Sequence, residues 1–121
     1  MEVKIILNGG LKSCCSSYSA EQIYDIVKSW LKESDNLEVT DVTVKDWSFD
    51  ELSSLAKKYF GERIFPLVYI DEILISIGSI PDATSLNEAG KDPQKFMILK
   101  EDILNAAREN GIDISEKEGA I

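Results

Sequence analysis

Histidine is absent from the 121 residues, and with it the commonest general base of enzymes. Hydrolase chemistry of the Ser–His and Cys–His kinds is thereby excluded. Cysteine is nearly as scarce, since Cys14 and Cys15 are the only two. Such a pair cannot staple a multi-bridge secreted scaffold. Without histidine it also cannot complete a zinc site of thiolate and imidazole ligands within one chain. No apolar run approaches the roughly 20 residues that span a bilayer. The opening "MEVKIILNGG" has an acidic second residue and a short apolar run. It reads as a strand rather than a signal peptide, and a cytoplasmic location is expected. Positive charge is in deficit too, with 13 Lys and Arg against 22 Asp and Glu, a net charge of −9. That surface repels phosphate backbones and no Lys/Arg cluster overrides it locally, so neither nucleic acid nor a membrane is expected as a partner.

An apolar fraction of 44% suits an ordinary globular protein. The length fits one domain, expected over residues 1–111, with 112–121 as a loosely held acidic tail. "EVKIILN" reads as a strand buried on both faces. A helix follows in "SAEQIYDIVKSWLKES", where Ser19 and Gln22 stand in capping-box spacing and Ile23, Ile26, Val27, Trp30 and Leu31 recur at helical intervals. "NLEVTDVTVKD" alternates through Val42 and Val44 as a second strand. "SFDELSSLAKKYFG" reads as a second helix, capped by Ser48 with Glu51 and closed by Gly61. "FPLVYIDEILISIG" gives two short strands joined around Asp71 and Glu72, with Pro66 at the start of the first. "SIPDATSLNEAG" reads as a short helical turn ended by Gly90. "DPQKFMILKEDILNAARENG" reads as one last long helix with Asp92 as its cap and Pro93 in its first turn.

The order β-α-β-α-β-β-α implies an α/β fold: a four-stranded mixed sheet with helices on both faces and the first two strands parallel. In such sheets chemistry collects beyond the carboxyl ends of the parallel strands. The loop carrying Cys14 and Cys15 begins at one of those ends.

Element order and two motifs together resemble the thioredoxin-like superfamily, glutaredoxin-like in size, over Glu2 to Asn110. The motifs are "SCCSS" between the first strand and the first helix, and "IFPLVYIDEILISIG" followed by "SIPD". The resemblance implies that Pro66 is a cis-proline across from the cysteine loop, turning the Phe65 backbone toward the thiol. "CCSS" is a C-x-x-S ending at Ser17, as in monothiol glutaredoxins, where C-x-x-C is missing and Lys12 is only a loose match to the family's glutathione-binding cation. The adjacent pair is also similar to the arsenical-resistance metallochaperone and repressor family, and small thioredoxin-like bacterial proteins share the outline. That family's third thiol is missing here; Ser19 or Ala20 stands near its place, so three-thiolate capture of As(III) or Sb(III) is not available within one chain.

Covalent geometry narrows what neighbouring cysteines do. Adjacent Cα atoms lie about 3.8 Å apart, below the roughly 4.4–6.8 Å of ordinary disulfides, so a Cys14–Cys15 bridge is strained and easily reduced. With Ser19 as the cap, helix one starts past the thiols and its dipole aids them little; Lys12 is the nearby cation. The expected activity is thiol–disulfide exchange, as an oxidoreductase or redox switch. Cys14 is the attacking thiolate, Cys15 the resolving one, Lys12 and Ser17 stand beside them, and Phe65 and Pro66 lie opposite. Its partner is a protein thiol or disulfide, or a small thiol, and no cofactor is required. The alternative is a soft-metal or metalloid protein with both sulfurs as ligands, or an Fe–S cluster shared in a homodimer. A third reading is a scaffold that has kept the fold and lost its chemistry. "NGGLKS" lacks the spacing of a phosphate-binding loop. Trp30 and Tyr59 stand at helical core spacing, and "EDILNAAREN" reads as a solvated helix face.

Overall fold

The computed structural model describes residues 1–12 and 17–112. Strand β1 (Glu2–Leu7) is followed by a small hairpin of β2 (Leu11–Lys12) and β3 (Ser17–Tyr18), then helix α1 (Ala20–Lys28), β4 (Asn36–Asp41) and α2 (Glu51–Phe60). A 3-10 turn at Gly61–Ile64 leads into β5 (Leu67–Ile70) and β6 (Ile73–Ile77), then α3 (Ala83–Lys91), a second 3-10 turn at Pro93–Phe96 and α4 (Lys100–Glu109). The main sheet has the order β4-β1-β5-β6. β1 and β4 are parallel, whereas β5 is antiparallel to both β1 and β6. The chain is therefore an α/β protein with a mixed four-stranded sheet and four helices.

Period-two alternation divides the core. Val3, Ile5 and Leu7 of β1 join Val68 and Ile70 of β5 under α1 and α3, with Ile23, Val27, Leu86 and Ala89. Ile6, Leu67, Tyr69 and Leu74 pack on the other face against Ala56 and Tyr59 of α2 and Ile103, Leu104 and Ala107 of α4. β5 is buried along its whole length, as a central strand covered on both faces must be.

The Asp71–Glu72 turn works although Asp-Glu is not a favoured hairpin pair. Both residues take left-handed φ, 49° and 69°, as a two-residue hairpin with the strands' own twist requires. Asp71 ties the turn to the start of β1: its carboxylate accepts from the Glu2 N–H at 2.9 Å and its own N–H donates to the Glu2 carbonyl at 2.8 Å. No helix among the described residues is long and apolar enough to cross a membrane.

Several elements differ from the sequence reading. The Ser19–Gln22 capping box forms, but α1 stops at Lys28 and Ile26 is exposed. β4 ends at Asp41, and Val44 is 86% exposed rather than a strand residue. Asp50, not Ser48, caps α2: its carboxylate accepts from the Ser53 N–H at 2.8 Å and from the Tyr69 hydroxyl at 2.8 Å, so the cap is fastened to β5. The expected short turn after Gly78 is the nine-residue helix α3, capped by Asp82. Gly90 lies inside it, where a Cβ would strike the Met1 side chain. The expected last long helix is two pieces, because the Ile98 N–H donates to the Leu74 carbonyl at 2.9 Å and holds the chain extended between them. Ile112 packs on the α2–α4 layer, whereas 113–121 lie outside the described residues.

Two stability outcomes follow. Leu86→Ala removes a fully buried side chain and is expected to cost about 2–5 kcal/mol in denaturant unfolding; a surface turn would lose a few tenths. Glu72→Gly replaces a left-handed non-glycine and creates the favoured Asp-Gly hairpin pair, with an expected gain of about 0.5–1 kcal/mol.

Candidate functional site

The carboxyl edge of the parallel pair is organised by Asp41, which faces Leu7 across the β1–β4 ladder. Beyond Leu7 the chain turns through Gly9 and Gly10, both at φ 77°, a conformation that glycine adopts without a Cβ penalty. Asp41 fixes that turn. Its Oδ1 accepts from the Gly9 N–H at 3.0 Å and its Oδ2 from the Gly10 N–H at 2.8 Å. The same carboxylate closes a turn on its own side, taking the Thr43 N–H at 2.9 Å and the Thr43 hydroxyl at 2.6 Å. Partial burial alone would raise its pKa, but the Thr43 hydroxyl and the Gly9, Thr43 and Gly10 N–H groups outweigh that and lower it to about 2.

This turn launches the β2–β3 hairpin, in which Leu11 faces Tyr18 and Lys12 faces Ser17. Leu11 and Tyr18 pack against the α1–α3 layer and root the hairpin in the core. Gly10 is required sterically as well, since a Cβ there would strike the Tyr18 carbonyl oxygen. Residues 13–16 join the two strands; Cys14 and Cys15 lie among them, outside the described residues. α1 begins at Ala20, with the Gln22 N–H donating to the Ser19 hydroxyl and the Ser19 N–H to the Gln22 side chain, as the capping box implies.

A cleft of about 810 Å³ opens beside the hairpin, lined by Gly9, Gly10, Ser17 and Tyr18 on one side and by Val39, Asp41, Val44 and Lys45 on the other. It lies on the β4 side of β1. Phe65 and Pro66 lie on the β5 side: Leu67 faces Ile6, so the start of β5 meets the end of β1 at the same sheet edge. The Phe65–Pro66 peptide is cis. The Phe65 N–H donates to the Glu62 carbonyl at 3.3 Å, and the Gly78 N–H donates to the Ile64 and Pro66 carbonyls at 2.8 and 2.9 Å.

An aromatic group extends from this point. The Phe65 ring stands 6.1 Å from Phe49, which meets Trp47 edge-on at 5.0 Å, and Trp47 lies 5.9 Å from Tyr69. Lys57 Nζ sits 4.5 Å from the centre of the Phe49 ring, a favourable cation–π placement. Burial and the Asp50 carboxylate push the Tyr69 phenol well above its ordinary range. It remains a neutral donor to the helix cap.

The sequence-derived site residues thus separate into two groups at one edge. Lys12 and Ser17 face each other across the hairpin, and Phe65 and Pro66 stand across the end of β1. Asp41, Val44 and Lys45 were not anticipated. A signal for Asp41 exists in "DVT", the spacing at which an Asp side chain bonds the N–H two residues on. Among the described residues no group of three or more His, Cys, Asp or Glu side chains is placed to hold a metal ion. No family model, no curated protein and no solved structure matches the chain.

Asp41→Ala is expected to destabilise the protein by about 1–2 kcal/mol, because it strips acceptors from backbone groups at a partly buried turn. A carboxylate whose folded pKa lies below its unfolded value stabilises fully above the unfolded value, near ~3.9. The contribution fades as pH falls through the folded one. The stability difference between the parent and Asp41→Ala should therefore be constant from pH 7 to about 5 and shrink toward pH 2, read by urea unfolding at each pH.

Proposed function

We propose that the chain is a thioredoxin-like thiol–disulfide exchange protein whose reacting groups are Cys14 and Cys15. The observation that carries the reading is the placement of the hairpin that bears them. Its two strands rise from the carboxyl end of β1, beside an open cleft and at the same sheet edge as the Phe65–Pro66 peptide. The sheet order, with a parallel β1–β4 pair and an antiparallel β5–β6 hairpin, supports the thioredoxin-like assignment. On it α3, which packs on the α1 face, takes the part of the fold's last helix, and α4 is an addition.

In this reading the Cys14 thiolate attacks one sulfur of a substrate disulfide. The substrate S–S bond breaks, a mixed disulfide forms on Cys14, and the other substrate sulfur leaves as a thiolate. Cys15 then attacks the Cys14 sulfur and releases the second substrate thiolate. Two electrons have passed to the substrate, and the strained Cys14–Cys15 bridge is returned to the dithiol by two equivalents of an external thiol, which leave joined as a disulfide. The Gln22 N–H of the first helical turn is already taken by Ser19, so in this reading the helix end aids the thiolate little and Lys12 is the nearest cation in sequence. The adjacency of two soft sulfurs supports a second reading, capture of Cu(I) or As(III) by both.

The test is the thiolate absorbance near 240 nm against pH on the reduced protein and each single Cys→Ser variant, paired with exchange against hydroxyethyl disulfide. The expected result is one thiol ionising below the ordinary value of about 8.5, loss of exchange in Cys14→Ser, and arrest at the mixed disulfide in Cys15→Ser. Two thiols titrating at or above the ordinary value, with no exchange by the parent, overturn the reading. Retention of Cu(I) or As(III) in anaerobic dialysis, dependent on both cysteines, would then assign the pair to metal capture.

A further inference from the structure

The β4 strand is an open border of the sheet, and its outward backbone groups have no partner among the described residues. The Asn36 N–H donates to the Met1 carbonyl at 3.0 Å and the Val42 N–H to the Leu7 carbonyl at 2.9 Å. In a parallel ladder alternate residues of a strand turn their N–H and C=O toward the same neighbour. The even-numbered residues of β4 therefore face β1, and Leu37 and Val39 present theirs to the open side. Sheet proteins usually cover or distort so bare an edge. Here a groove runs beside it instead. A second cleft of about 360 Å³, lined by Ala20, Glu21, Tyr24, Asp25 and Val39, shares Ala20, Glu21 and Val39 with the larger cleft. The two form one channel from the outer face of α1 to the base of the cysteine hairpin.

The chemistry of the channel selects its occupant. Val39 lines it, and exposed Tyr24 and Val44 stand toward its ends, giving apolar purchase for alternate side chains of an added strand. Its lining is acidic: Glu21 and Asp25 are exposed and make no ion pair among the described residues, whereas Lys45 is the cation beside them. A second copy of the chain, itself at −9, would set acidic rim against acidic rim.

We propose that this border receives an extended segment of a protein disulfide bearing lysine or arginine, which adds to β4 as a fifth strand and carries its sulfur to the cysteine loop. The proposal rests on the exchange reading above and names its substrate class: a polypeptide docked by main-chain hydrogen bonds, as in other strand additions, rather than a small disulfide. Cys14 and Cys15 are three and two residues from Ser17, whose side of the hairpin lines the channel. A strand bound along β4 therefore ends beside Ser17, on the hairpin that carries the cysteines in sequence. The acidic rim draws the basic segment in and disfavours acidic ones.

The test separates docking from chemistry. A capped ten-residue peptide of alternating Lys and Val, without cysteine, is titrated into the full chain carrying Cys14→Ser and Cys15→Ser. Binding is followed by fluorescence anisotropy, and amide exchange is read at Leu37 and Val39. Slowed exchange at those two amides is expected, with roughly tenfold weaker binding in Glu21→Lys/Asp25→Lys, in 0.5 M salt and for a Glu/Val peptide. Val39→Pro, which deletes an outward N–H and no ladder bond, should abolish the protection at Leu37. Equal binding of the Glu/Val peptide, unprotected amides, or a dimer in sedimentation that Val39→Pro disperses would overturn the proposal, the last by giving the border to a second copy. If hydroxyethyl disulfide still exchanges while the peptide leaves the amides untouched, docking fails and the exchange reading stands. Protected amides with no exchange by the parent give the reverse.

Discussion

β1 and β5 lie in the middle of the sheet with helices against both faces, and that constraint governs the remainder of the molecule. Each side chain of β5, and each of β1 except Glu2 and Lys4, enters one apolar layer or the other. A shift of one residue in the pairing would exchange the layers, so the register of Ile6 with Leu67 is strongly specified. It also sets where the chain can do anything else. With the faces covered, what the sheet leaves open is the edge where β1 ends and β5 begins, and the outer strands.

At that edge one carboxylate joins elements that are distant in sequence. Asp41 holds the Gly9–Gly10 turn with one pair of hydrogen bonds and its own following turn with another. The launch direction of the β2–β3 hairpin is thereby referred to the sheet rather than to the loop's internal stiffness. Asp50 acts similarly on the other side, joining the start of α2 to Tyr69 of β5. In both places a helix or hairpin is positioned by a charged acceptor whose donors come from a neighbouring strand or turn. Geometry at the edge is thus coupled to the core.

The two central strands are legible in the sequence because burial on both faces leaves continuous apolar runs, and α1 is legible because Ser19 and Gln22 state its start. α3 is not: its contribution to the core is Leu86 and Ala89, and small residues that allow close approach look, in sequence, like a loop. The last helix reads as one because the apolar spacing continues through Ile98. Only the bond from Ile98 to Leu74, supplied by another element, breaks it. The cap of α2 departs from the sequence expectation for a related reason. Ser48 has the better capping-box spacing, but Asp50 has a strand tyrosine to bind. The position of the cysteine loop between β1 and α1 follows from chain order alone, whereas the clamp at its base depends on a contact 31 residues away.

The sheet's two borders are unlike. At β6 the Leu74 carbonyl is taken by Ile98, and the chain following α3 runs past the strand, with Ile77 and Ile98 lining one shallow groove. At β4 the outer backbone groups of Leu37 and Val39 stand free of partners among the described residues. Growth along the hydrogen-bond direction, the route by which open sheets build filaments, has an entrance on one side and none of matching character on the other. On the strand-addition proposal, one border would take a segment while the Ile98–Leu74 bond interrupts the other.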